Sequence, residues 1–282
     1  VMFRQGSPFG FSGGPFGFAP SVKYNPFADS SLALWLDAGF GLFRERTGAS
    51  ATTPASSNGD PVGTWRDRRG SINGVSPSDA SRAVVRPTGV NGRPAVQFDG
   101  VNDVLSFAGL VAAFKNVPRI YVAAAIAPTS EPSNAAVLNI SIAASENARA
   151  TLLVNQSAAA GRVALAGRRL DADTAQFVTV PSVFSNAEPF LLAAEFLYAS
   201  SDAVLSKNGS AIASSTSFQT DGSTQNTDSQ VVLIGSSAAN GSANLFDGMI
   251  CGLGIWTPST AYSSAEWLAR QRYIARTEGV AF

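Results

Sequence analysis

From Ala95 to Trp256 the chain is a succession of short apolar runs, each closed by glycine, asparagine, aspartate or proline, and it turns to a helical period only near its end. Runs of that length with those boundaries read as strands joined by tight turns. The stretch Arg93-Pro94-Ala95-Val96-Gln97-Phe98-Asp99-Gly100-Val101-Asn102-Asp103-Val104-Leu105 shows the unit most clearly. Ala95 to Phe98 is a short strand, bracketed by Gly92 and Gly100, and Val104-Leu105 resumes apolar character after the turn. Asp, Gly and Asn tolerate left-handed dihedrals and cap their own backbone. Asp99 and Asp103 can brace this loop by accepting backbone hydrogen bonds, or hold a calcium ion; both readings stay open at this stage.

Other runs repeat the pattern. Leu32, Leu34 and Leu36 are expected on one face of a strand and Trp35 on the other. Ile120 to Ala127, Ala136 to Ile142, Thr151 to Val154, Arg162 to Ala166 and Val231 to Gly235 follow. Their many alanines favour helix, but β-branched neighbours and short spacing favour strand. Phe190 to Leu197 is ambiguous by period and is read as a strand. Ala203 to Ala213 is the clearest hairpin, because Asn208-Gly209 supplies the positive dihedrals of a two-residue turn. Residues 46 to 61 form a long polar loop, expected to be a mobile insertion or a contact loop. The charged turn Arg66-Asp67-Arg68-Arg69 suits internal salt bridges, or recognition of an acidic sugar or phosphate. Ser263, three residues before Glu266, predicts a reciprocal cap on a helix from Ser264 to about Arg276, with Gly279 as its stop. Trp267, Leu268 and Ile274 would face inward. Ten or more strands and one closing helix make a two-sheet sandwich over residues 29–282.

Residues 1–28 differ in kind. Pro8-Phe9-Gly10-Phe11 recurs as Pro15-Phe16-Gly17-Phe18, and glycine and proline oppose a helix there. Phe9, Phe11, Phe16 and Phe18 gain about 1.5–3 kcal/mol each on full burial. The segment is therefore expected to be an extended arm laid on a surface, its own domain's or a neighbouring subunit's.

Composition narrows function. Charged residues make up 14% of the chain, against about 25% in ordinary soluble domains, and Lys plus Arg balances Asp plus Glu at 20 each. No basic concentration suits nucleic acid, and no run suits a membrane-spanning helix or amphipathic anchor. With no histidine, His-based triads and His metal ligands are absent. The single Cys251 sits in an apolar run and is expected to be a core thiol. Val1 to Gly6 gives no sign of a secretion signal.

Leu34-Trp35-Leu36-Asp37-Ala38, Val62-Gly63-Thr64-Trp65-Arg66-Asp67, Gly92 to Gly100, Asn102-Asp103, Lys207-Asn208-Gly209, Ile234-Gly235 and Phe246-Asp247-Gly248 occur in that order before the closing helix. In this the chain resembles the concanavalin A-like lectin/glucanase superfamily, in the laminin-G-like form common in bacterial and phage proteins. The resemblance implies an all-β jelly-roll sandwich of two antiparallel sheets, with the C-terminal helix and the extended N-terminal arm as additions. It implies no single function. The acidic run of the glucanase branch is not found: Glu195 is isolated, and Asp171 and Asp173 fall in a loop. The expectation is a non-enzymatic structural or decoration component of a phage-like virion or appendage, held to neighbouring subunits by the arm, on a virion or extracellular assembly surface. The alternative is a glycan-binding adhesion module, with Trp65 or Trp35 as platform and Asn102 and Asp103 as polar partners. A polysaccharide hydrolase is a third, weaker reading. No cofactor is expected beyond the calcium option.

Overall fold

The computed structural model describes residues 23–129, 134–141, 148–229 and 231–282. In chain order the strands are β1 (Leu32–Asp37), β2 (Leu42–Phe43), β3 (Thr64–Arg66), β4 (Asn73–Val75), β5 (Val84–Val90), β6 (Arg93–Asp99), β7 (Leu105–Ser106), β8 (Ile120–Pro128) and β9 (Ala135–Ser141). They continue with β10 (Ala148–Val154), β11 (Val163–Gly167), β12 (Gln176–Val180), β13 (Phe190–Leu197), β14 (Asp202–Lys207), β15 (Ser210–Ser215), β16 (Val231–Ile234) and β17 (Asp247–Trp256); helix α1 (Ser264–Thr277) closes the chain.

The strands form two antiparallel sheets of a jelly-roll sandwich. One has eight strands, ordered β15-β14-β13-β8-β17-β6-β5, with β1 beside the C-terminal half of β17. The other has nine, ordered β12-β11-β10-β9-β16-β7-β4-β3-β2. Alternation places Val122, Ala124, Ile126, Leu192, Ala194 and Leu253 of the first sheet against Val137, Ile140, Leu152, Leu165 and Ile234 of the second. Two tight approaches bear on the packing, the first between the sheets and the second on the outer face of the eight-stranded sheet. The Phe107 ring lies where a Cβ on Gly74 would stand, at 2.2 Å, and the Trp256 indole covers Gly254 at 2.3 Å.

The eight-stranded sheet has a second apolar layer on its outer face. There Tyr121, Ala123, Ala125, Leu191, Ala193 and Trp256 meet Trp35 and, from α1, Trp267, Ile274 and Ala275. The predicted capping box is present: Ser263 Oγ accepts from the Glu266 amide, and the Glu266 carboxylate accepts from the Ser263 amide. Tyr24 lies in the same layer, its ring in an edge-type contact with Trp256 and its hydroxyl accepting the Trp256 indole N–H at 2.8 Å. Phe9, Phe11, Phe16 and Phe18 lie outside the described residues. The Asn208-Gly209 hairpin forms as read, with φ of 49° and 80° at the two turn residues.

One sequence expectation is corrected. Leu34 and Leu36 face the inter-sheet core, but Leu32 lies with Trp35 on the outer face. A β-bulge between Leu32 and Leu34 adds a residue and reverses the side. The polar loop of residues 46 to 61 is joined to its surroundings by side-chain hydrogen bonds and an ion pair. Arg66 donates to the carbonyls of Gly48, Ala49 and Ala51, Glu45 accepts from the Thr53 amide, and Arg44 pairs with Asp60 at 2.7 Å. The neighbouring charged turn is internally paired, Arg68 to Asp37 and Arg69 to Asp67. No helix among the described residues is long and apolar enough to cross a membrane.

Candidate functional site

The outer face of the nine-stranded sheet carries no α-helix among the described residues, and its outward positions are unusual for an exposed sheet. Ala136, Leu153, Ala164 and Ala166 form a small apolar floor there. Cross-strand pairing then aligns four outward residues in one row: Asn139 opposite Thr151, Thr151 opposite Ala166, and Ala166 opposite Phe177. Three strand spacings make this row about 14 Å long. The short side chain at Ala166 leaves a hollow of about 220 Å3 between the polar end and the aromatic end. Its rim is completed by Asn134, Gln156, Ser157, Ser237 and Asn244.

The polar end is pre-ordered. Thr151 Oγ1 donates to Asn139 Oδ1 at 2.6 Å, and Asn139 Nδ2 donates to the Ser237 carbonyl at 3.0 Å. Asn244 Nδ2 donates to Ser237 Oγ at 2.9 Å. The Ser157 amide donates to Asn134 Oδ1 at 2.7 Å, which holds two rim turns together. Asn134, Ser157 and Asn244 all take left-handed backbone, with φ of 56°, 56° and 50°. Asparagine tolerates that region and serine does so at some cost, which the surrounding hydrogen bonds offset. Phe177 is 51% exposed, so its ring face is open at the other end. None of the described lining side chains is charged.

β10, the strand carrying Thr151 and Leu153, is anchored from the core side by Arg149. That guanidinium is fully buried; it donates to the carbonyls of Phe114, Gln225 and Thr227 and pairs with Asp171 at 2.7 Å. Asp173 caps its own turn by accepting from the Leu170 amide. Both carboxylates are thus structural, as their loop position suggested. A second hollow of about 240 Å3, near Phe40, Pro54, Pro87 and Pro94, offers Ser56 as its one polar side chain.

The residues singled out from sequence fall elsewhere. Trp65 is fully buried between the sheets and donates from its indole to the Asp37 carbonyl, and Trp35 is buried under α1, so neither presents a face to a sugar. Both sit mid-strand: alternation turns Trp65 between the sheets, and turns Trp35 to the outer face, where α1 covers it. Asn102 is half-buried at the β6–β7 turn. Asp103 is buried and accepts the Asp99 amide, while Asp99 accepts from the amides of Val101 and Asn102. Burial, with the Asp99 charge nearby, pushes the Asp103 carboxyl up to about 7. This is the bracing geometry. Among the described residues, no group of three or more His, Cys, Asp or Glu side chains could hold a metal ion. Asn139, Thr151 and Phe177 were missed as a site. Their signal was a polar residue inside an apolar strand, together with alanines where a solvent-facing sheet would carry charge.

No protein-family model matches the sequence, and no curated protein matches it. Solved structures do resemble it. A Trypanosoma rangeli sialidase in complex with sialic acid aligns over 88% of this chain and 33% of its own, at 14% identity and a TM-score of 0.56. The fold is the shared feature. The chain spans about a third of the sialidase's length. A Ruminococcus gnavus sialidase CBM40 bound to α2,3-sialyllactose aligns over 55% of this chain and 83% of its own, at 17% identity and a TM-score of 0.43. A SAP-like pentraxin from Limulus polyphemus aligns over 63% and 81%, at 13% identity and a TM-score of 0.45. At these identities the likeness concerns architecture and does not extend to activity.

Proposed function

We propose that this protein is a lectin-like module that binds neutral glycan on the outer face of its nine-stranded sheet, without turning it over. The observation that carries the reading is the in-register row Asn139–Thr151–Ala166–Phe177. It sets the buried Asn139 and Thr151, which order the polar rim, about 14 Å from the exposed Phe177 ring, across a hollow whose described lining is uncharged. A sugar ring has an apolar face for Phe177 and hydroxyls for Asn134, Gln156 and Asn244, and the row is long enough for two or three such rings. Among the described lining residues there is no Lys or Arg, which disfavours acidic sugars, whose carboxylate seeks a charge-assisted partner. Nor do the described lining residues include an Asp or Glu to serve as a pair for acid–base glycoside cleavage.

The test is a glycan array of neutral and sialylated oligosaccharides, run with calcium and with chelator. Neutral glycans should bind in both conditions, and Phe177→Ala should weaken them tenfold or more with an unchanged unfolding midpoint. Silence across the neutral set, or full binding by the variant, would overturn the reading. Placement of this module on a phage-like virion rests on the phenylalanine-glycine segment of residues 1–28, of which residues 1–22 lie outside the described residues. Particle incorporation with and without residues 1–28 decides that part separately.

A further inference from the structure

On the other side of the molecule, α1 stands over the eight-stranded sheet and leaves a groove that the glycan reading does not use. One face of the helix, Ser264, Trp267, Leu268 and Gln271, lies above Glu195 of β13, Ser206 of β14 and Ala211 of β15, with Tyr262 at one end; the cavity is about 280 Å3. Its walls hold polar groups that the fold leaves unsatisfied. Gln271 is 2% exposed, and its Oε1 accepts no hydrogen bond. The indole N–H of Trp267, 5% exposed, faces the Glu195 carboxylate without reaching ordinary hydrogen-bond geometry. An unpaired acceptor in such a place costs about 1–3 kcal/mol.

Glu195 forms no salt bridge among the described residues, and the cations of the neighbouring elements are committed elsewhere. Arg270 is committed to Asp29 and lies over the Tyr262 ring, Lys207 is committed to Glu188, and Arg119 donates to the Ser259 carbonyl. Tyr121, the cross-strand partner of Glu195 on β8, is a phenol that burial pushes up to about 12, so it stays neutral. Desolvation holds the Glu195 carboxyl up to about 7. The groove therefore presents an uncompensated acid, a bare amide oxygen and the rings of Trp267 and Tyr262. That set complements a group with positive charge and several N–H donors, carried on an apolar stem.

We propose that this groove binds a small primary ammonium compound, with its charged head on Glu195 and Gln271 and its carbon chain against Trp267, Tyr262 and Leu268. Binding keeps Glu195 ionised, so below neutral pH it is accompanied by loss of the carboxyl proton. The experiment is calorimetry on the full chain with n-butylammonium chloride, and with 1-butanol as the uncharged comparator. At pH 7.5 the expected result is saturable binding of butylammonium, weakened at least tenfold in Glu195→Gln. Ala211→Trp, an exposed position at the groove, should block it with little effect on folding. At pH 6, titrations in two buffers of different ionisation enthalpy should show proton release for the native chain and none for Glu195→Gln. Equal affinity for 1-butanol, no saturable heat, or native-like binding by Glu195→Gln would overturn the proposal.

Discussion

Replacing Glu278 by glutamine should make the protein more stable at pH 8 while leaving it nearly unchanged at pH 5. Glu278 is 2% exposed, its Oε1 has no hydrogen-bond partner, and it is seated over Gly252, where a Cβ would lie 2.6 Å from that oxygen. Burial is the main cause holding its carboxyl up to about 8, with repulsion from Asp37 adding to it; the Thr277 hydrogen bond, Arg68 and Arg93 offset part of this. In the unfolded chain the group returns to its ordinary value of 4.5. Between 4.5 and about 8 the folded state keeps a proton that the unfolded state releases. Stability contributed by this group is therefore complete below the unfolded value, declines as pH rises through the window, and is level above it. At about 1.4 kcal/mol per pH unit the decline amounts to about 3–5 kcal/mol, a large part of a typical total of about 5–15 kcal/mol. Asp103 and Glu195, both held up to about 7, slope the same way and account for what remains in the variant. Glu45, Asp60, Glu188 and Glu266 are lowered instead, so their contribution is lost only on acidification below the window. The assay is urea unfolding of both proteins at pH 5, 6.5 and 8. A difference between them that stays constant across the three would refute the reasoning.

Three further substitutions check the packing and the anchoring. Arg149→Ala removes a fully buried donor to three backbone carbonyls, while the part-exposed Asp171 keeps its hydrogen bond from Thr227, and should cost about 3–5 kcal/mol in urea unfolding. Asp171→Asn, which keeps the backbone bonds, should cost clearly less. Gly254→Ala would place a methyl 2.3 Å from the Trp256 indole and should cost about 1–3 kcal/mol, with a changed near-ultraviolet circular dichroism signal as Trp256 and Trp267 separate. An unaltered aromatic signal would show that the indole has another place to go.

Much of the fold was legible because it depends on local chemistry. The Asn208-Gly209 turn needs positive φ at both central residues, and few other pairs provide it. The Ser263–Glu266 cap is set by a spacing of three, and α1 begins where that spacing places it. Phe190 to Leu197 was ambiguous by period because both of its faces are buried: Leu192 and Ala194 look into the sandwich, and Leu191 and Ala193 look toward α1. The candidate site was less legible. Asn139 and Phe177 are 38 positions apart in the chain. They come into one row only through three strand pairings whose register depends on bulges and turns throughout the sheet.

The sequence by itself determined that strands would alternate, where they would turn, that one capped helix would close the chain, and that the surface would be poor in charge. Tertiary structure decided what each face packs against. Ala123 and Ala125 on one sheet, and Ala164 and Ala166 on the other, are buried residues of the same type in the same kind of strand. The first pair is covered by α1, while in the second Ala166 lines the hollow beside Phe177. Alternation assigns each side chain to one of two faces, and only the docking of a distant helix settles which of those faces it covers.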